Sequence, residues 1–371
     1  MRPPPGRLGF LPPYEPLRRL PAPFDPWEEI AADLPVRRLV GRIRPDLEAL
    51  PFLDPESLED GPEIERAMLI LSHFAGAYVH DTDPPRLSLP PPVARPLATA
   101  ARRLSRPPIG AHASLAMHNW RRIDPERPVA VENLATLVRA HGSTDEIWFF
   151  TIAIAIEAVG AGIPALVADA ETAAAREDGA TVGRALVRLG EVIRAVTALT
   201  ERTREGCDPG VFYRRVRPPF SAWPAPGVTY QGADYPEPLV LAGGSAAQSP
   251  LVQLFDAVLS VRHPPLGRSL CLEMRRYMAP AHRAFVTEVE AAGAIRRFIE
   301  DSGDGWLRGK FEAALANLLE LRQVHWRLVS DYITRQAAPG ARARGTGGTD
   351  YGRFLTSTIR GVEQTLTAPR R

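Results

Sequence analysis

His325 lies on the apolar stripe of a long helical segment, with Arg322 one turn before it. Phe311, Leu315, Leu318, Arg322, His325, Val329 and Tyr332 follow at steps of three and four residues, which places all seven on one helix face. Two basic side chains on an oily face are costly to bury unless something pairs with them. A haem would supply both partners, its iron taking the imidazole and a propionate taking the guanidinium. The competing reading is a core histidine bonded to a backbone carbonyl, with the arginine reaching solvent at the edge.

The elements that must position these residues are helical. Val182, Ala185, Leu186, Leu189, Val192, Ile193, Val196 and Leu199 define an amphipathic helix over 181–204. Residues 146–159 are apolar nearly all round, interrupted only by Thr151 and Glu157, so that helix belongs in the middle of the molecule. Further helices are expected over 60–80, 91–104, 130–140, 250–261, 268–301, 306–335 and 350–366. Strand alternation and hairpin dipeptides are sparse, and no internal repeat appears, so the expected class is all-α and not a solenoid. Two helical domains are expected, a smaller one over 1–140 that contributes to the pocket and a larger one over 141–371 that holds it.

With 371 residues the chain can bury one large or two ordinary cores. The two cysteines, Cys207 and Cys271, cannot form a disulfide framework, and no zinc-type spacing is present, which fits a reduced, cytoplasmic setting. Met1–Pro13 is proline-rich without an apolar signal core, and no uninterrupted apolar run reaches about 18 residues, so no membrane association is expected. The 45 basic and 43 acidic residues nearly cancel and no long basic block is interleaved with aromatics, which argues against a nucleic-acid partner. The 38 prolines gather between the helical segments and mark the connections. A monomer that takes a small-molecule substrate is expected.

Five stretches act as signatures: FYRRVRPPFSAW (Phe212–Trp223), AGGSAAQS (Ala242–Ser249), MRRYMAPAHR (Met274–Arg283), LRQVH (Leu321–His325) and RGTGGTD (Arg344–Asp350). With GFLPPYEPLRRLP at Gly9–Pro21, DPWEEIAADLP at Asp25–Pro35 and PPIGAHASLAMHNWRRIDP at Pro107–Pro125, they closely resemble the indoleamine 2,3-dioxygenase family, in register from Gly9 to Asp350. The Arg, Ala and Pro bias suggests a bacterial-type member.

The resemblance implies a haem b cofactor with O2 as co-substrate, and oxygenation of L-tryptophan to N-formylkynurenine, the first step of the kynurenine pathway. His325 matches the proximal iron ligand. Arg322 matches an arginine near a propionate, with Asp256 as its partner; a plain interhelical salt bridge would predict the same contact. Arg217 matches the arginine that grips the substrate carboxylate, a task for which the guanidinium fork is suited, although Arg214 and Arg215 beside it also fit a solvated surface. Phe212, Phe220 and Phe149 match positions that line the substrate pocket, where an indole ring could stack; aromatics at helical spacing also serve as plain core.

Gly243-Gly244-Ser245 and the run Gly345 to Thr349 lack the lysine and strand-to-helix context of a phosphate-binding loop, so their glycines are read as permitting close backbone approach. By resemblance Gly244, Ser245 and Ala246 lie over the haem, and the Thr346 loop closes on the substrate's amino and carboxylate groups. A linker after the last long helix would have similar composition. No poised nucleophile or carboxylate pair stands out, whereas in haem oxygenation the cofactor carries the oxygen chemistry and the pocket orients the substrate.

Two positions depart from the familiar pattern. Ala153 stands where a distal serine is usual and offers no hydroxyl. His112 stands where the animal enzymes carry a tyrosine, and could donate a hydrogen bond to substrate or form a neutral polar wall. The rival readings are a dioxygenase of the same fold for a substituted tryptophan or other indole in biosynthesis, a non-catalytic haem sensor or carrier, and an interaction module without cofactor. The other histidines, His73, His80, His118, His141, His263 and His282, are expected to be surface, capping or structural groups.

Overall fold

The computed structural model describes residues 5–338, 345–348 and 350–367. Among them run fifteen helices: α1 (Asp25–Leu39), α2 (Ile43–Glu48), α3 (Pro62–His80), α4 (Pro91–Arg103), α5 (Thr144–Val159), α6 (Ile163–Ala175), α7 (Gly179–Glu201), α8 (Thr203–Gly206), α9 (Pro209–Val211), α10 (Pro250–Val258), α11 (Pro265–Arg275), α12 (Pro280–Ala292), α13 (Ala294–Ser302), α14 (Gly305–Tyr332) and α15 (Tyr351–Thr367). The fold is all-α. Its strands are two residues long: β1 (Ser88–Leu89) pairs in parallel with β4 (Thr229–Tyr230), and β2 (Arg121–Arg122) pairs antiparallel with β3 (Leu134–Ala135).

Capping side chains fix where the central helices begin. Ser143 accepts from the Glu146 amide at the start of α5, Asp178 caps α7, and Asp304 accepts from Trp306 and Leu307 at the start of α14. Glu146 is fully enclosed and its carboxylate accepts the N–H groups of Ala140, His141 and Gly142 at 2.7, 2.8 and 2.6 Å. A single buried carboxylate thus ties the incoming loop to the first turn of α5, where the helix dipole favours negative charge.

Three expected elements differ. The segment 130–140 is not a helix: Val131–Asn133 is one 3-10 turn, and Leu134–Ala135 then pairs with Arg121–Arg122 while the Asn119 side chain takes up the amides of Leu137 and Val138. The segment 268–301 is three helices, because Pro280 opens α12 and Gly293, at φ 53°, breaks it from α13. Helix α6 was not anticipated. Thr144–Ala175 is by length and composition apolar enough to cross a membrane, yet here it divides at Gly160 into α5 and α6, both packed into the core.

Two large hydrophobic clusters form. One gathers α1, α3 and α4 around Trp27, Leu34, Met68 and Phe74, and also takes Trp223, Val228, Tyr230, Met274 and Tyr277 from later in the chain. The other gathers α5, α6, α7, α10, α12 and α14 around Ile154, Ile193, Leu254, Phe285 and Leu318, with Phe10, Leu11 and Trp120 from the first 140 residues. Both α5 and α14 pack on α7. Helix α3 is more completely enclosed than α5, being buried from Ile64 through Val79. Gly76 lets it close on the turn after Arg217, since a Cβ there would lie 1.9 Å from the Pro219 carbonyl oxygen.

Candidate active site

The histidine end is built by α10 and α14. Arg322 Nη2 lies 2.6 Å from Asp256 Oδ2, and His263 Nε2 lies 3.1 Å from the same oxygen. Burial raises the Asp256 pKa, but the Arg322 and His263 charges and hydrogen bonds outweigh it and hold the carboxyl at about 2. Arg322 Nε and His263 Nδ1 are buried without a partner, as is Asp256 Oδ1. His263, read from sequence as a plain structural or surface group, is therefore part of this cluster. It sits just beyond α10, and nothing in its local pattern signals the contact.

His325 lies one turn beyond Arg322 on α14. Burial, with the Arg322 charge second, pushes its pKa down to about 4, so the imidazole is neutral at pH 7. No described residue hydrogen-bonds either ring nitrogen, which removes the backbone-bonded core histidine as an explanation. The ring is deep in the protein yet half-buried by surface, as Val329 is one turn on, so it faces a recess. Among the described residues no group of three or more His, Cys, Asp or Glu side chains could hold a metal ion. A metal bound by His325 must bring its other ligands, as haem does, and the buried, unpaired Nε–H of Arg322 suits a haem carboxylate.

The aromatic end is a chain of rings. Phe149 and Phe212 are 4.7 Å apart, Phe212 and Tyr332 5.6 Å, and Phe150 and Phe220 5.0 Å. Phe212 opens the π-helical turn Phe212–Val216, closed by the Arg217 amide on the Phe212 carbonyl at 2.8 Å, and Pro218 and Pro219 follow in a 3-10 turn. Arg217 is half-buried; burial lowers its pKa while Tyr213, whose ring is 5.2 Å from the guanidinium carbon, acts in the opposite direction. On α5, Phe149, Ala153 and Ile156 are among the residues that keep accessible surface.

The glycine loop closes on this turn. The Gly244 amide donates to the Phe220 carbonyl at 3.0 Å, and a Cβ on Gly243 would come within 2.3 Å of the same oxygen. Ser245 caps the turn Ala246–Gln248 in a reciprocal box with Gln248, and Ala246 is exposed. The Ala222 amide donates to the Thr346 carbonyl at 2.7 Å, and the next residue, Gly347, stacks against Ser245. Arg217, Phe220, Gly244, Ser245 and Thr346 therefore form one contiguous wall. Arg344 and Thr349 of the RGTGGTD stretch lie outside the described residues.

His112 and Glu157 join the halves. The His112 amide donates to Gln248 Oε1 at 3.0 Å, and its Nε2 lies 2.9 Å from Glu157 Oε1. Ser249, the cap of α10, donates its hydroxyl to the same oxygen at 2.5 Å. Glu157, Gln248 and Ser249 did not emerge as site residues from sequence reasoning. The signal for Glu157 was present, a carboxylate in the apolar stretch that follows the first turn of α5, one turn after Ala153.

Known proteins resemble the chain over nearly its whole length. The family model described as indoleamine 2,3-dioxygenase matches residues 6–364. The chain is similar to human indoleamine 2,3-dioxygenase 2, at 32% identity over 98% of this chain and 94% of the relative. It is also similar to indoleamine 2,3-dioxygenase nanC of Aspergillus nanangensis, at 34% over 94% and 92%. A third relative, at 30% over 97% and 96%, is 6-hydroxytryptophan 2,3-dioxygenase fscD of Fusarium equiseti.

Proposed function

The chain belongs to the indoleamine 2,3-dioxygenase family, and from that premise we propose that it binds haem b through His325 and oxygenates L-tryptophan to N-formylkynurenine. The observation that carries the reading is His325 itself: neutral, unbonded by any described residue and open to a recess, beside the buried Arg322–Asp256 pair. Arg322 would hold a propionate through its Nε–H, which is now unpaired. When bound, haem supplies the oxygen chemistry that adds both atoms of O2 across the indole C2=C3 bond.

The protein's own part is orientation. The Arg217 guanidinium takes the substrate carboxylate, and Phe149, Phe212 and Phe220 enclose the indole. Gly244, with Ser245 and Ala246, brings backbone close over the reacting face, and the Thr346 loop, held at Ala222, excludes water from the amino-acid end. A methyl at Ala153 leaves that point of the wall apolar.

A second reading is favoured by one specific pair of facts: a relative named as a 6-hydroxytryptophan dioxygenase and the smaller Ala153 on the indole wall. In it the substrate is a ring-substituted tryptophan in a biosynthetic route. The test is an optical spectrum of haem-loaded protein, followed by reductant, air and either L-tryptophan or 6-hydroxytryptophan, with product mass measured. A Soret band and gain of two oxygen atoms by tryptophan are expected. A Soret band with oxygenation of the hydroxylated substrate alone selects the second reading; no haem uptake, matched by His325→Ala, overturns both.

A further inference from the structure

The two nitrogens of His112 have unlike surroundings. Nε2 lies 2.9 Å from Oε1 of Glu157, a carboxylate with no exposed surface that also accepts from Ser249. An ionised carboxylate can only accept, so the shared hydrogen belongs to Nε2. A neutral His112 held this way has a bare lone pair on Nδ1. Among the described residues nothing hydrogen-bonds Nδ1, and it is not among the buried atoms that lack a partner, although Glu157 Oε2 and Ser114 Oγ are. The imidazole keeps 11% of its side-chain surface accessible.

The ring is fixed at the edge of the candidate site from three directions. Its own amide is held by Gln248 Oε1, which at 3.2 Å also accepts from the Ser245 amide over the recess. Leu115, three residues on, abuts Gly244 and belongs to the same cluster as Phe150, Phe212 and Phe220. Glu157 follows Ala153 by one turn of α5, so the imidazole stands beside the apolar point of the wall. An indole N–H enclosed there without an acceptor would be costly.

Resting on the dioxygenase reading above, we propose that Glu157 locks His112 so that Nδ1 is the acceptor for the substrate's ring N–H. His112 is then a specificity-determining residue that favours ring systems with a donor at the indole nitrogen. Glu157 is a positioning residue that acts through it. The sense of the bond is opposite to the donation that a free histidine at this position would offer. No proton changes hands; the pair selects and orients the ring plane.

The test uses ferric holoenzyme, which binds without turning over, and follows the Soret shift on titration with L-tryptophan and with its benzothiophene analogue, where sulfur replaces the N–H. His112→Leu is expected to weaken tryptophan binding about tenfold while the analogue stays within about twofold. His112→Asn, which can place an oxygen near the Nδ1 position, should recover part of the loss. Glu157→Gln, whose amide can donate and so permits the other tautomer, should give an intermediate loss for tryptophan alone. Equal weakening of both ligands would assign His112 a packing role and overturn the proposal, as would no change for either. A wild-type protein that takes up haem and binds tryptophan, with variants that fail this pattern, leaves the dioxygenase reading standing; one that takes up no haem overturns that premise and this proposal with it.

Discussion

Asp256→Asn should destabilise the haem-free protein by about 2 to 5 kcal/mol at pH 7. The Asp256 carboxylate is buried, 2.6 Å from Arg322 and 3.1 Å from His263, and its pKa is held at about 2 against an ordinary 3.8. A gap of roughly two pH units corresponds to about 2 to 3 kcal/mol in favour of the folded, charged form. Asparagine also leaves the Arg322 guanidinium buried without its counter-charge, a change that typically costs about 3 to 5 kcal/mol. Because the folded pKa is depressed, the stabilisation is present above the unfolded value near pH 4 and is lost as pH falls towards 2. The gap between wild type and variant should therefore be constant from pH 7 to 5 and close in acid. Urea unfolding of both proteins at matched slope measures it. The double variant Asp256→Leu/Arg322→Met should recover most of the loss, since apolar replacement of a whole buried pair is often neutral. A single-variant loss below about 1 kcal/mol, or a double variant no better than the single, would refute the assignment of this pair as a mutually dependent buried unit.

Arg217→Met should leave the Soret band intact and weaken tryptophan binding by about 2 to 5 kcal/mol, roughly 30- to several-thousand-fold, and a loss of under threefold in Kd would return Arg217 to the surface. Gly76→Ala should be among the most damaging small substitutions, about 3 kcal/mol or more, because the added methyl meets the Pro219 carbonyl on the turn that aims Arg217; unchanged thermal stability would show that α3 does not seat that turn. His73 is fully buried, bonded through Nδ1 to the Leu69 carbonyl, and burial pushes its pKa down to about 4. The unfolded chain binds its proton near pH 6.5, so stability should rise with pH between about 4 and 6.5 by roughly 1.4 kcal/mol per pH unit from this group. His73→Asn should reduce that slope by about one proton, and an unaltered slope in urea unfolding across this range would refute the burial argument.

The helices were legible because their signals are local. The three- and four-residue spacing of Val182 to Leu199 and of Phe311 to Tyr332 needs no partner to be read, and the family's signature stretches lie in linear order. The misread segments failed where a single residue or a distant partner decides. Gly293 in a left-handed conformation and Pro280 at a helix start cut the expected helix over 268–301 into three. At 130–140 the backbone was claimed by β2 and by the Asn119 side chain, 18 residues away from Leu137.

The sequence by itself determined the class of fold, the helix that carries His325, the side of that helix that faces inward and the family to which the chain belongs. The resemblance had paired Arg322 with Asp256; only the tertiary structure decided that His263 joins them. Asp256, His263 and Arg322 converge from two helices and the turn that follows one of them. The Glu157 carboxylate, which from sequence only interrupted an apolar helix, proved to be the partner of His112 and Ser249. The reason is physical: helical periodicity fixes which face of an element is apolar, but a hydrogen bond or ion pair of under about 3 Å depends on the relative placement of elements far apart in the chain, which no local pattern specifies.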